Sequence, residues 1–119
     1  MPGLFESCDQ MKRRMDEAEQ VFYEVQERDD RPDFYEEVKP FVDKVKGEAD
    51  VWKEEASAWV QTTSYPYLHE SQMEDTYDNI MNASLQAYQR TTKEKQFKET
   101  LQAVEFILNS IQTQLKQES

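Results

Sequence analysis

Four antiparallel helices packed in an up-down-up-down bundle, an all-α fold, are what this sequence predicts. Only two glycines in 119 residues, no Asn-Gly or Asp-Gly turn, and four stretches in which apolar side chains recur every three or four residues carry that prediction. Glu, Gln, Lys, Met and Ala, which lose little rotamer freedom in a helix, fill the positions between. A chain of this length suits one domain spanning 1–119, large enough to bury a core and too short for two.

The first stripe is Leu4, Cys8, Met11, Met15, Ala18, Phe22 and Val25, which stack on one face of a helix with 3.6 residues per turn. Arg28-Asp29-Asp30-Arg31-Pro32 then breaks the pattern and marks the first turn. The second stripe runs Phe34, Val38, Phe41, Val45, Ala49, Trp52, Ala56 and Trp59, widened by Val42 and Val60. Pro40 lies inside it without an amide proton, so a kink or a short break is expected near Lys39. The stripe keeps its phase across the proline, which leaves one kinked helix, or a short helix leading directly into a long one. Gly47 is a second weak point, about 1 kcal/mol less favourable than alanine in a helix interior.

Ser71 followed by Glu74 has the form of a capping box and places the start of the third helix near Ser71. Its inner arc is Met73, Tyr77, Ile80, Met81, Ser84, Ala87 and Tyr88. Arg90-Thr91-Thr92 forms the next turn, with a weaker capping box in Thr91 and Glu94. The fourth helix has the cleanest stripe, Phe97, Leu101, Val104, Leu108, Ile111 and Leu115, and is expected to end near Lys116. Short connections between long helices make sequential helices antiparallel neighbours.

The net charge of −11 repels phosphate backbones and anionic lipid, which argues against nucleic-acid and membrane partners. Residues 1–31, 32–63 and 64–92 carry −4, −4 and −3, whereas residues 93–119 hold four basic and four acidic side chains and are neutral. Apolar runs stop at three residues, as in Phe106-Ile107-Leu108, far short of the ~20 of a membrane span. Met1-Pro2-Gly3 has neither a basic region nor an acylation glycine, and the single cysteine, Cys8, forms no internal disulfide; both fit a cytoplasmic address.

Catalytic constellations are missing. Di-metal carboxylate bundles need inward glutamates and Glu-x-x-His pairs, but the one histidine, His69, follows Pro66 at that spacing, and only Glu48 competes for an inward slot. No metal, haem or other cofactor is expected, and the methionines at helical spacing read as packing. Cys8 on a core stripe reads as a buried, inert thiol, Trp52 and Trp59 as core anchors, and Ser84 as a hydroxyl bonded back to the Ile80 carbonyl.

Two surface features remain. The loop Tyr65-Pro66-Tyr67-Leu68-His69 gathers two phenols and the only imidazole at one bundle end; Tyr65, Tyr67 and His69 are candidate ligand-binding residues. In the plainer alternative, Tyr67 and Leu68 plug the bundle and His69 helps to cap the third helix. Phe106 and Val51 fall opposite their own stripes, so they face solvent or a protein partner. A non-catalytic module binding an unidentified protein is the preferred expectation, with a small-ligand protein or an enzyme at Tyr67 and His69 as the alternative. The assembly expected is a monomer or a weak homodimer through helix four.

The segments Asp33-Phe34-Tyr35-Glu36-Glu37-Val38-Lys39-Pro40, Tyr67-Leu68-His69-Glu70-Ser71-Gln72-Met73 and Gln96-Phe97-Lys98-Glu99-Thr100 resemble the YppE-like family of small proteins from Bacillus and its relatives, along nearly the whole chain. The proline ahead of the Tyr-x-His stretch is shifted by one residue, at Pro66. This resemblance implies a four-helix up-and-down bundle and a cytoplasmic protein of a Gram-positive bacterium, and it carries over neither an activity nor catalytic residues.

Overall fold

In the computed structural model, which describes residues 3–118, the four stripes meet in one continuous core. The helices are α1 (Leu4–Glu27), α2 (Lys39–Thr62), α3 (Glu70–Gln86) and α4 (Glu94–Glu118), and no strand occurs among the described residues. Each packs on its neighbours in sequence, α4 closes on α1, and α1 also touches α3 across the bundle, which measures 50 × 29 × 21 Å. Met1 and Pro2, on which the reading of the N-terminus rests, lie outside the described residues, as does Ser119.

Pro40 acts on the turn before it. Between α1 and α2 the chain forms a single turn of π-helix, Phe34–Val38. The Asp33 side chain accepts from the Glu36 N–H at 2.8 Å, and the Asp33 carbonyl accepts from Glu37 and Val38 at 2.9 and 3.2 Å. The Lys39 N–H reaches back five residues to the Phe34 carbonyl. Since the proline nitrogen has no proton for the carbonyl four residues earlier and its ring crowds that turn, the turn opens by one residue. A short helical piece therefore leads straight into a long helix. The wider turn also breaks the phase of the stripe: Val38 stays buried, but Phe34, predicted for the core, is 53 % exposed against Tyr35. Gly47 lies on an exposed face of unbroken helix.

Two helix starts differ from expectation. α3 begins at Glu70 because its box is His69 with Gln72, not Ser71 with Glu74: the His69 N–H donates to Gln72 Oε1 at 2.6 Å. Burial of Leu68 sets this register, since the chain must leave the core in an extended step at His69 (φ −126°, ψ 157°). Before α4 the Thr92 hydroxyl, and not a Thr91–Glu94 box, closes the turn by donating to the Gln86 carbonyl at 2.9 Å. α4 then runs past Lys116 to Glu118, whose carboxylate accepts from Trp59 Nε1 at 3.0 Å and from the Thr63 hydroxyl.

Among the described residues four polar side chains are buried, Ser7, Thr76, Ser84 and Gln112. Ser84 donates to the Met81 carbonyl at 2.8 Å, one residue nearer than the Ile80 carbonyl expected. Gln112 joins α4 to α1: its amide N–H groups donate to the Phe5 carbonyl at 3.0 Å and Asp9 Oδ1 at 2.8 Å, while its oxygen accepts from Lys12 Nζ at 2.6 Å. Every polar atom of that amide is thereby satisfied, as burial requires.

Candidate functional site

The loop between α2 and α3 and the second half of α4 meet at one end of the bundle. Leu68 alone is the plug, 5 % exposed, whereas Tyr67 is 72 % exposed and does not share that role. Tyr65 is half-buried and sets its ring edge-on to Tyr67, with centroids 5.4 Å apart. His69 is exposed, and its contribution to the cap comes from the main-chain N–H.

Beside this loop lies a groove of about 340 Å³ lined by Tyr65, Phe106, Asn109, Ser110, Thr113, Gln114 and Gln117. All seven are uncharged, on a chain of which 33 % is charged. The helical repeat produces this: Phe106, Asn109/Ser110, Thr113/Gln114 and Gln117 recur at steps of three and four on the side of α4 away from Val104, Leu108 and Ile111. The Ser110 hydroxyl donates to the Phe106 carbonyl at 2.7 Å, which keeps it on its own helix. Phe106, 68 % exposed, is the largest apolar surface there.

The fold thus joins two of the sequence candidates, Tyr65 and Phe106, and leaves the others apart. Tyr67, His69 and Val51 do not line the groove; Val51 is 50 % exposed on α2, next in sequence to Asp50, which accepts from Lys46 at 2.9 Å and from the Tyr77 hydroxyl at 2.6 Å. Sequence reasoning missed Asn109, Ser110, Thr113, Gln114 and Gln117. The available signal was a run from Phe106 to Gln117 with Lys116 as its single charge.

Between α1 and α2 the carboxylates are engaged with α1. Glu48 accepts from Arg14 Nε and Nη2 at 2.5 and 2.9 Å and from Gln10, and Glu55 accepts from the Ser7 hydroxyl. Hydrogen bonding to Glu48 raises the Arg14 pKa and holds its charge on. Among the described residues no three His, Cys, Asp or Glu side chains converge as metal ligands. Burial pushes the Cys8 thiol up to about 12, although the Trp52 indole pulls the other way. The indole N–H is itself buried and has no partner of normal hydrogen-bond geometry. A thiol so shifted is a poor nucleophile. Trp52 is fully buried, while Trp59 is only partly so and turns its N–H to Glu118. Thr63 and then Trp59 hold the Glu118 carboxyl below the usual range.

A four-helix up-and-down bundle with a continuous apolar core and an uncharged groove near one end is the class these observations define. The chain belongs to the family described as a bacterial domain of unknown function, DUF1798, which matches residues 8–115. It is 26 % identical over 115 residues to the uncharacterized protein YppE of Bacillus subtilis, covering 97 % of this chain and 94 % of that one. The crystal structure of YppE superimposes with a TM-score of 0.88 over the same shares of the two chains. A crystal structure of a protein of unknown function from Listeria innocua does so with a TM-score of 0.89 at 29 % identity, covering 97 % of this chain and 92 % of the other. Among the described residues no helix is long and apolar enough to cross a membrane.

Proposed function

We propose that this protein is a non-catalytic interaction module of the cytoplasm that binds another protein through the outer face of α4 and the neighbouring Tyr65. The observation that carries the reading is the groove whose lining is wholly uncharged, with an exposed phenylalanine at its edge. Interface centres are depleted in charge and enriched in aromatic rings, whereas the solvated faces of an acidic protein are not. A groove of similar volume between α1 and α4, about 320 Å³, makes the contrast: Lys12, Asp16, Glu19, Lys98 and Glu105 line it. The other reading, a small-ligand site at Tyr65, Tyr67 and His69, has less support, since the latter two are exposed outside the groove.

The test compares wild type with Phe106→Asp and Val51→Asp, both exposed positions where the charge leaves the core intact. A protein retained from lysate by wild type and Val51→Asp but lost with Phe106→Asp supports the reading. Equal recovery by all three, or none, overturns it. Self-association is followed by light scattering at micromolar concentration. A second copy is the partner if the mass rises with concentration for wild type and stays monomeric for Phe106→Asp.

A further inference from the structure

We infer that the opposite end of the bundle holds a binding site for an oxyanion, the phosphate or carboxylate group of a small ligand, between Arg31 and Arg90. Both arginines line a groove of about 530 Å³ with Pro32, Tyr88, Gln89 and Thr91, a size that suits a small molecule. Acidic side chains outnumber basic ones 25 to 14, and Arg14, Arg28, Lys39, Lys44, Lys46 and Lys98 each have a carboxylate partner. Among the described residues Arg31 and Arg90 have none; Arg90 donates only to the Asp29 carbonyl, at 3.5 Å. Other basic side chains among the described residues, Arg13 and Lys53 included, also lack such a partner; what sets Arg31 and Arg90 apart is that both line one groove with no acidic side chain in its lining.

Two of the acids nearby are already engaged, while the Asp29 carboxylate makes no hydrogen bond or ion pair among the described residues. Asp30, which feels the charge of Arg90, accepts from Arg28 at 2.8 and 3.1 Å, and Glu37 accepts from Arg28 at 2.6 and 3.1 Å. Arg28 thus neutralises part of the field that would oppose an anion and pins the loop that carries Arg31. On the other side, Gln26 Nε2 holds the Arg90 carbonyl at 3.4 Å and the Thr92 hydroxyl holds the Gln86 carbonyl. Two such forks offer planar, paired donors to an oxyanion, and the Thr91 hydroxyl and Gln89 amide supply uncharged ones.

The experiment is a titration of the 15N-labelled full chain, followed by NMR at constant ionic strength, with inorganic phosphate in one arm and succinate in the other. Saturable shifts are expected at the Arg31 and Arg90 side chains and at the Gln89 and Thr91 amides. Binding should weaken about tenfold or more in Arg31→Gln and in Arg90→Gln, the loss that follows from removing a charge-assisted pair. Arg13→Gln, an exposed arginine on α1 with the same change in net charge, should leave affinity unchanged. Saturation by phosphate alone identifies a phosphate ligand, and saturation by succinate alone a carboxylate. Shifts that never saturate in either arm, or that persist unaltered in both groove variants, overturn the inference. The spectra themselves report that each variant is folded, and the result is independent of the α4 face.

Discussion

Where the chain passes from α1 to α2 and from α3 to α4, the bundle closes on aromatic rings and ion pairs. Phe22 stacks on Phe97 at 4.6 Å, Tyr88 stands edge-on to Phe41 at 5.8 Å, and Arg28 clamps Asp30 and Glu37. Where the chain passes from α2 to α3, the bundle closes on Leu68 and on Glu118, which accepts from the uncharged donors of Thr63 and Trp59. Bonds between two charges are screened by salt and bonds to neutral donors much less so. The Arg28 clamp of the first end is therefore salt-sensitive, whereas the bonds of Thr63 and Trp59 to Glu118 at the second are much less so. A similar contrast holds between two surface grooves: Arg31 and Arg90 line one at the first end, and wholly uncharged side chains line one beside the second.

The largest test strikes the aromatic end. Phe97→Ala removes a fully buried ring from its stack on Phe22 and is expected to lower stability by about 3–5 kcal/mol, read from the urea midpoint at unchanged slope. Leu68→Ala strikes the other end and is expected to cost about 2–3 kcal/mol, the low side of the range for a buried leucine because a loop can settle into the space. A loss within about 0.5 kcal/mol, typical of surface sites, would mean that Leu68 is no plug.

Alkali is the next probe. The Cys8 thiol ordinarily ionises at 9.0 and burial raises it to about 12, so the unfolded chain loses that proton first. Stability from this group is complete below 9.0 and is lost as pH rises from there towards 12. Tyr77, raised chiefly by its bond to Asp50, and Tyr88, raised by burial, add to the loss above the usual phenol value of 10.0. Cys8→Ala should flatten the stability curve between those two thresholds, as measured by urea unfolding across pH.

The smallest effect separates the ends most sharply. Arg28→Gln is expected to lower Tm slightly in dilute buffer and not at all in about 1 M salt, whereas the small effect of Thr63→Ala should be the same in both. Carboxyl NMR titration checks the cause. Arg28 holds Asp30 and Glu37 below their ordinary 3.8 and 4.5, so their contribution is present above those values and is lost as pH falls through the lower folded ones. In Arg28→Gln both should return towards 3.8 and 4.5, while Glu118 at the far end keeps its depressed value.

How far the fold was legible varies by element. The stripe of α1 can be read almost residue by residue, because an uninterrupted helix repeats its burial every three or four positions: its members Cys8, Met11, Met15, Ala18, Phe22 and Val25 are all interior. In α4 Phe97, Val104, Leu108 and Ile111 are buried, while Leu101 and Leu115 are half-buried and Ile107 joins the core. Phe34 is the failure in α2, since periodicity assumes one kind of helix and Pro40 forces another kind of turn. The boxes at Ser71 and Thr91 were misplaced because several polar residues near a helix start can cap it, and Leu68 and Thr92 decide among them through contacts beyond the local spacing. Gln112 looks like an exposed glutamine by type, yet it follows Leu108 by one turn, and its three partners on α1 make its burial possible. Of the site candidates, the exposure of Phe106 follows from its angle on α4, but its proximity to Tyr65 has no trace in the spacing.

The amino-acid sequence by itself determined the number of helices, their order and the faces they bury, because those follow from side-chain periodicity along a backbone of fixed pitch. Only the tertiary structure decided which cap is used, how the chain enters α2 and which surface residues share a groove. Those outcomes depend on distances between residues far apart along the chain, and these exist only once the helices have packed.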